Sequence, residues 1–288
     1  MNKSLNLYII IISFGIIVFS GCEDNLNPLS ETNLNGKVKS IKEYKYNAIE
    51  EKFGKIEGED LITIRETKYD IKGNNIEKNT YDSKGELLWK IIFNNDRKGN
   101  ILDASKYWSN GKLAEKIIYS YDDKEFLIEE NLYDYNGKLV NKYTYIYNSK
   151  GNVKEKIMYN ENGVLIEKTH YIYDAKGNKV EENVYGSNNN LYYVYKYDSK
   201  SHLIEMEYYH HENVIFNSSI EYDLKGNKLK EIHTYFDEYG LITDIDKFSY
   251  VYEDFDKENN WLRSFIYGQY NNENYHLFEF LEREIEYY

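Results

Sequence analysis

Polar turn residues alternate with short runs of mixed apolar and polar residues from residue 68 onward. The turn signal is Tyr-Asp or Tyr-Asn, two variable residues and Gly-Asn, as in residues 69–74, 147–152 and 222–227. Asp or Asn starts a turn by hydrogen-bonding the backbone, and Gly accepts a positive φ. The segments between turns are about eight residues long, a common strand length. The pattern therefore predicts β-strands joined by tight turns.

The turns recur at two alternating distances. Indexed by their Gly, or by the residue in its place, they fall at 73, 85, 99, 111, 125, 137, 151, 163, 177, 189, 201, 213, 226, 240 and 259. Up to residue 177 the spacing alternates between 12 and 14, which gives a 26-residue repeat. Short connections join antiparallel neighbours, so the repeat predicts a β-meander with alternate turns on opposite edges. Lys-Gly-Asn turns mark one edge and Asn-Gly turns the other.

Polar and apolar residues share both faces of the predicted strands. An acid stands four residues after most turn positions, and a Lys follows it in many units, as in Glu155 and Lys156. Neighbouring strand residues point to opposite faces, so the acidic and the Lys columns are expected on opposite faces. We expect an all-β fold, a long antiparallel meander of some sixteen strands. The predicted form is a curved or spiralling single ribbon, because open sheets of that size curl.

Composition supports β-structure and excludes some partners. The chain holds 33 Tyr and one Pro among 288 residues, which suits strands and argues against disorder. Its formal net charge is −13. Nucleic-acid binding needs basic patches, so we expect no nucleic-acid partner.

The N-terminal segment predicts export. Lys3 precedes an apolar run from Leu5 to Phe19, and Ser20-Gly21-Cys22 follows. The run is short for a membrane span and polar sequence follows at once, as in a cleaved signal peptide. Small residues before a Cys resemble the lipobox of bacterial lipoproteins. That resemblance implies cleavage after residue 21, acylation of Cys22 and a membrane partner reached through the lipid anchor.

The recurring turn signal between residues 69 and 260 resembles the YD repeats of Rhs-type proteins. Those repeats build β-ribbon shells around toxin cargo, but this chain is far shorter and has no recognisable toxin tail. It is more similar to small YD-repeat (RHS-like repeat) bacterial lipoproteins. Acidic residues directly after Cys22 resemble a surface-export signal, so we expect an outer-membrane lipoprotein, exposed at the cell surface.

Five segments follow from these patterns. Residues 1–21 are predicted as the signal peptide, 22–36 as an acylated tether and 37–68 as an N-terminal cap. Residues 69–260 form the YD-repeat array and 261–288 are C-terminal capping strands. Within the N-terminal cap, residues 47–60 are predicted as an irregular insertion between two strands.

Recognised catalytic motifs are missing from the sequence. None of the six His has a metal-ligand spacing, and no nucleophile elbow, phosphate loop or dinucleotide fingerprint occurs. We therefore expect a non-enzyme without cofactor or metal. The candidate binding residues form an aromatic column eight residues after the turn positions. Its central members are Tyr107, Tyr119, Tyr133, Tyr145, Tyr159, Tyr171, Tyr185 and Tyr197.

These features favour a surface-exposed or periplasm-facing, lipid-anchored scaffold or binding module for protein or glycan. The aromatic column either stacks on a ligand or merely packs the sheet. Two alternatives stay open. One is an accessory or immunity protein of a polymorphic-toxin system, and the other is a glycan-processing enzyme that uses two of the many carboxylates.

Overall fold

The chain folds into antiparallel β-strands in the computed structural model. The structure describes residues 34–50, 56–270 and 276–288. In chain order the strands are β1 Val38–Glu50, β2 Ile56–Tyr69, β3 Asn75–Asp82, β4 Leu87–Asn95, β5 Ile101–Trp108, β6 Leu113–Tyr121, β7 Leu127–Asp134, β8 Leu139–Tyr147, β9 Val153–Asn160, β10 Leu165–Tyr173, β11 Lys179–Gly186, β12 Leu191–Tyr197, β13 Leu203–His210, β14 Asn213–Tyr222, β15 Lys228–Phe236, β16 Ile242–Phe255, β17 Trp261–Gln269 and β18 His276–Tyr287.

The sheet closes on itself. Each strand pairs antiparallel with the next along the chain, and β1 pairs with β18 as well as with β2. The all-β antiparallel meander is therefore confirmed, but the open, spiralling ribbon is wrong: the structure is a closed barrel of 18 strands. Closure satisfies the backbone groups that two free edges would expose.

The two terminal segments make that closure. Residues predicted as separate caps, 37–68 and 261–288, contain β1, β2, β17 and β18, and β1 and β18 pair from Val38↔Tyr287 to Asn47↔Glu279. The expected irregular insertion at residues 47–60 is also wrong in its described part. Strand β1 continues to Glu50 and β2 starts at Ile56, with pairs as far as Glu50↔Ile56.

Each repeat turn except the one indexed as 213 is a three-residue hairpin loop with an adjacent bulge. In the first, the Gly73 amide donates to the Asp70 carbonyl, and the Lys72 and Asn74 amides donate to the Asp70 carboxylate, all at 2.8–2.9 Å. Gly73 has a φ of 88°, which Gly adopts without a Cβ penalty. Glu125, Asn189, Ser201 and Asn259 take the same left-handed conformation where Gly is replaced. At the turn indexed as 213, the left-handed residues are His211 and Glu212 instead.

Neighbouring Ile residues of β4 and β6 differ sharply in burial. Ile91 is 1% exposed and Ile92 is 39% exposed; Ile117 and Ile118 differ in the same way, at 7% and 39%. Consecutive strand residues point to opposite faces, so the crowded face is the concave inside of the barrel. We call the face of Ile91 and Ile117 the inner wall, and the opposite face the outer wall.

Turns after even-numbered strands and turns after odd-numbered strands lie at opposite rims. The tether rim carries the Lys-Gly-Asn turns at Gly73, Gly99, Gly151, Gly177 and Gly226, and the chain enters β1 there. The predicted signal peptide and Cys22 lie outside the described residues. No helix in the described part of the chain is long and apolar enough to cross a membrane.

Candidate binding site on the inner wall

The predicted aromatic column divides between the two walls. Directly paired residues share a face, so the register assigns each Tyr to a wall. The outer members are Tyr107, Tyr133, Tyr159 and Tyr185, which pair with Lys90, Lys116, Lys142 and Lys168. The inner members are Tyr119, Tyr145, Tyr171 and Tyr197, of which the first three pair with Glu130, Lys156 and Glu182. The structure therefore does not bring the eight together into one site.

The outer wall carries a belt of alternating charges at mid-height. Odd strands contribute the acids and even strands the lysines, in the order Glu77, Lys90, Asp103, Lys116, Glu129, Lys142, Glu155, Lys168 and Glu181. The expectation that these acids and lysines face opposite ways holds within a strand, but the face alternates between successive strands. Ion pairs within the belt include Lys116 with Asp103 at 3.3 Å.

Two Trp side chains and a Lys form one group on the inner wall. Trp89 pairs with Trp108 across β4 and β5, and Ile91 pairs with Lys106. The Lys106 ammonium lies 4.9 Å from the ring centroid of Trp89 and 5.7 Å from that of Trp108. Trp108 is nevertheless 49% exposed. Its ring thus offers a wide surface beside a cation at one end of the barrel.

Three Tyr rings with nearly parallel planes form a second group, on β12 and β13. The Tyr193 ring lies 5.0 Å from the Tyr208 ring at 24° and 6.0 Å from the Tyr195 ring at 22°. Tyr195 pairs with Glu182 of β11, which places a carboxylate beside the rings. Burial raises the pKa of both Tyr193 and Tyr208. These phenols are therefore neutral hydrogen-bonding groups at neutral pH.

The inner carboxylates are held by Tyr hydroxyls. Tyr145 donates to Glu130 at 2.6 Å, Tyr197 donates to Glu182 at 2.8 Å, and Tyr250 donates to Glu231 at 2.8 Å. Burial, reinforced by these carboxylates, raises the pKa of each of the three Tyr. The result is a set of fixed Tyr–Glu pairs around the inner wall.

Glu231 has the most partners of these carboxylates. Lys228 lies 2.9 Å away, and the His233 ring lies at the same distance. Burial opposes ionisation of Glu231, but hydrogen bonds from His233, Lys228 and Tyr250 outweigh it and hold its pKa below the ordinary value. A carboxylate that stays ionised at neutral pH can accept hydrogen bonds but has no proton to give.

A ring of Tyr hydroxyls at the tether rim was not foreseen. In β6, β8, β10 and β14 the Tyr that precedes the turn Asp or Asn points along the inner wall and donates to the carbonyl that begins the preceding strand. The corresponding Tyr of β12, Tyr197, donates to Glu182 instead. Examples are Tyr121 to Ile101, Tyr147 to Leu127 and Tyr173 to Val153, at 2.7–2.8 Å. Burial raises the pKa of Tyr121 to about 12. The sequence signal for this ring is the Tyr of the Tyr-Asp motif.

A circular cross-section would leave room for a ligand beside these side chains. A circular barrel of 18 strands spaced ~4.8 Å and tilted by ~35° has a backbone radius of roughly 17 Å. Among the described residues, no group of three or more His, Cys, Asp or Glu side chains could hold a metal ion.

Comparison with known proteins yields structural likenesses only. No family model and no curated protein matches the chain. A porin-like protein from Bacteroides uniformis ATCC 8492 aligns with 88% of this chain and 99% of its own, at 10% identity and a TM-score of 0.42. A porin-like protein from Bacteroides vulgatus ATCC 8482 aligns over 87% and 98%, at 14% identity and a TM-score of 0.30. The structure of TcdB2-TccC3 without its hypervariable C-terminal region also aligns with this chain, at 11% identity and a TM-score of 0.29. The alignment covers 81% of this chain and 15% of the TcdB2-TccC3 chain.

Proposed function

We propose that this chain is a lipid-anchored binding protein of the bacterial outer membrane that holds a carbohydrate chain against its inner wall. The observation that carries the proposal is the concentration of stacked aromatic rings and fixed Tyr–Glu pairs on that wall. The C–H face of a sugar ring is apolar and stacks on aromatic rings, while its hydroxyls bond to carboxylates and phenols. Tyr193, Tyr195 and Tyr208 offer such a platform, with Glu182 next to it.

The charged side chains of the outer wall support the proposal that the barrel is surrounded by water and is attached to the membrane through Cys22. A membrane-spanning barrel needs an outward apolar band about 25 Å tall. Here the belt from Glu77 to Glu181 places an ionisable side chain at mid-height on each of nine consecutive strands. Burying such charges in lipid costs ~2–4 kcal/mol for each Lys or Arg near the midplane.

A binding role accounts for the inner carboxylates more directly than catalysis. A glycosidase needs one carboxyl group protonated at working pH to serve as the general acid. Glu231 has a lowered pKa instead, and Glu130 and Glu182 accept hydrogen bonds from Tyr. The proposal is therefore a non-enzymatic binding module.

The test uses neighbouring residues on opposite walls. The full-length protein in non-ionic detergent is titrated with soluble hexasaccharides from a panel of β- and α-linked glucans, xylans and chitin fragments. Tryptophan fluorescence is the readout, because Trp89 and Trp108 lie on the inner wall. We expect saturable binding to at least one glycan, weakened at least tenfold by Trp108→Ala and unchanged by Tyr107→Ala. Binding lost equally in both variants, or no binding across the panel, would contradict the proposal.

A further inference from the structure

A cavity at the tether rim lies apart from the aromatic groups of the inner wall. Its volume is ≈ 350 Å³, and its lining includes Leu34, Lys225, Phe255, Asn260, Trp261 and Arg283. It is formed where β17 and β18 meet the turns before β15 and β17 and the chain that enters β1. This volume lies within the range of small-molecule sites, roughly 300–1,000 Å³.

The charge of the cavity is opposite to that of the chain. Lys225 and Arg283 line it, and no Asp or Glu is among its lining residues. The whole chain has a formal net charge of −13, so a cavity lined by two cations and no acid stands out. Unlike charges attract strongly in a partly buried site. The lining thus favours an anion.

Arg283 is a buried cation with an unused donor. Its side chain is 8% exposed, its Nε donates to Glu43 at 3.1 Å, and its Cζ lies 3.3 Å from the ring centroid of Trp261. Nη1 is shielded from solvent and has no hydrogen-bond partner among the described residues. An unmade hydrogen bond from a buried charged group is costly. An acceptor within reach of this guanidinium would remove that cost.

Lys225 supplies the second cation from the facing turn. Its ammonium lies 3.2 Å from Oδ1 of Asn259 and 5.1 Å from the ring centroid of Phe255. Neither partner carries a charge, so the Lys225 ammonium is not neutralised by them. A guanidinium fork together with an ammonium is the pair of groups that recognises phosphate oxygens.

The chain leading to the predicted tether closes one side of the cavity. The Asn35 amide donates to Oδ1 of Asn260 at 2.6 Å, and Nδ2 of Asn260 donates back to the Asn35 carbonyl at 2.9 Å. Leu34 packs beside Val38, Ile41 and Tyr69. A ligand bound here would therefore sit at the end of the barrel from which the chain continues toward Cys22.

We propose that this cavity binds the phosphate group of a phosphate ester, between Arg283 and Lys225. The remaining volume takes the organic part of the ester against Trp261 and Phe255. Two sources share this chemistry: a free phosphomonoester, and the phosphodiester headgroup of a membrane lipid. The site is separate from the inner-wall aromatic groups, so the inference stands whether or not the barrel binds a carbohydrate.

The test is calorimetric titration of the full-length protein in non-ionic detergent with three probes. Inorganic phosphate and sn-glycerol 3-phosphate represent the free source, and glycerophosphoglycerol represents a lipid headgroup. We expect binding of at least one ester, weakened at least tenfold by Lys225→Gln and by Arg283→Gln. The matched control is Lys176→Gln, which changes the same position of a different turn at the same rim and should leave affinity unchanged.

The outcomes distinguish the two sources of the phosphate group and show whether the site exists. Binding of glycerophosphoglycerol supports the headgroup, and binding of sn-glycerol 3-phosphate alone supports the free ester. Absence of binding by all three probes, or affinity that Lys225→Gln leaves unchanged in a protein with native circular dichroism, would overturn the site. Because Trp108 and the Tyr group of β12 and β13 are unchanged in these variants, retained glycan binding distinguishes this failure from failure of the proposed function.

Discussion

At the residue scale, two consecutive strand residues lie in different environments, because one faces the inner wall and the next faces the outer wall. Ile91 and Ile92 show the contrast in burial, and Tyr107 and Trp108 show it in chemistry. The sequence could predict the turn residues, because Asp70 and Gly73 have local reasons for their places. It could not assign Tyr to a wall, because Tyr suits both a wet surface and a packed one.

Removing one Tyr hydroxyl from each wall, in two separate variants, tests the assignment of these Tyr residues to the inner and outer walls. Tyr145→Phe leaves the Glu130 carboxylate on the inner wall without its 2.6 Å hydrogen bond. We expect a loss of ~1–3 kcal/mol in the free energy of unfolding, the usual cost of an orphaned buried group. Tyr133→Phe, on the outer wall, should change it by less than ~0.5 kcal/mol. The measurement is urea unfolding followed by circular dichroism, and equal losses in both variants would contradict the assignment.

At the element scale, the typical repeat turn is held together by hydrogen bonds to the ionised carboxylate of its Asp. Hydrogen bonds from Asn100, first its side chain and then its backbone, lower the pKa of Asp96, and Asn178 acts in the same way on Asp174. Turn β8–β9 has Asn148 in place of Asp, and its Oδ1 accepts from the Lys150 and Asn152 amides at 2.9 and 3.1 Å. The same turn therefore forms with and without an ionisable group.

This difference predicts a measurable pH dependence. The folded pKa of Asp96 lies below the ordinary pKa of an Asp side chain. The stabilisation that this carboxylate provides is therefore present above that ordinary pKa and is lost as pH falls through the folded pKa. We expect Asp96→Asn to reduce the fall in the urea midpoint between pH 7 and pH 3, because Asn keeps the acceptor without the titration. A fall as large as that of the unmodified protein would show that the turn carboxylate is not responsible.

At this scale, the sequence predicts the alternation of the turns and the strand repeat but not the charge belt. Alternate turns were expected on opposite edges, and the strands between Asn75 and Tyr197 follow the 26-residue repeat. The alternating belt does not follow from the positions of acids and lysines within one strand. In the sheet, Asp103 of β5 lies near Lys116 of β6, on the same wall. The relevant neighbours are cross-strand, and their register is fixed by the bulge beside each turn.

At the scale of the whole molecule, closure was the feature that local patterns did not contain. It depends on pairing between residues more than 230 positions apart, such as Lys42 with Glu284 and Tyr46 with Phe280. The terminal strands lack the repeat turn signal and were interpreted as caps for that reason. Closure separates the inner wall from the outer wall, so the proposed glycan site depends on it.

The most direct test of the closed barrel is a disulfide between its first and last strands. Lys42 and Glu284 are paired on the outer wall, and paired residues of antiparallel strands have Cα atoms ~4.5–5.5 Å apart, within disulfide range. Lys42→Cys and Glu284→Cys are combined in a Cys22→Ser background, with Lys42→Cys and Glu155→Cys as the control pair. Closure predicts an intramolecular disulfide, seen as faster migration of the monomer in non-reducing electrophoresis, in the first pair only. Free thiols or disulfide-linked dimers in the first pair would contradict it.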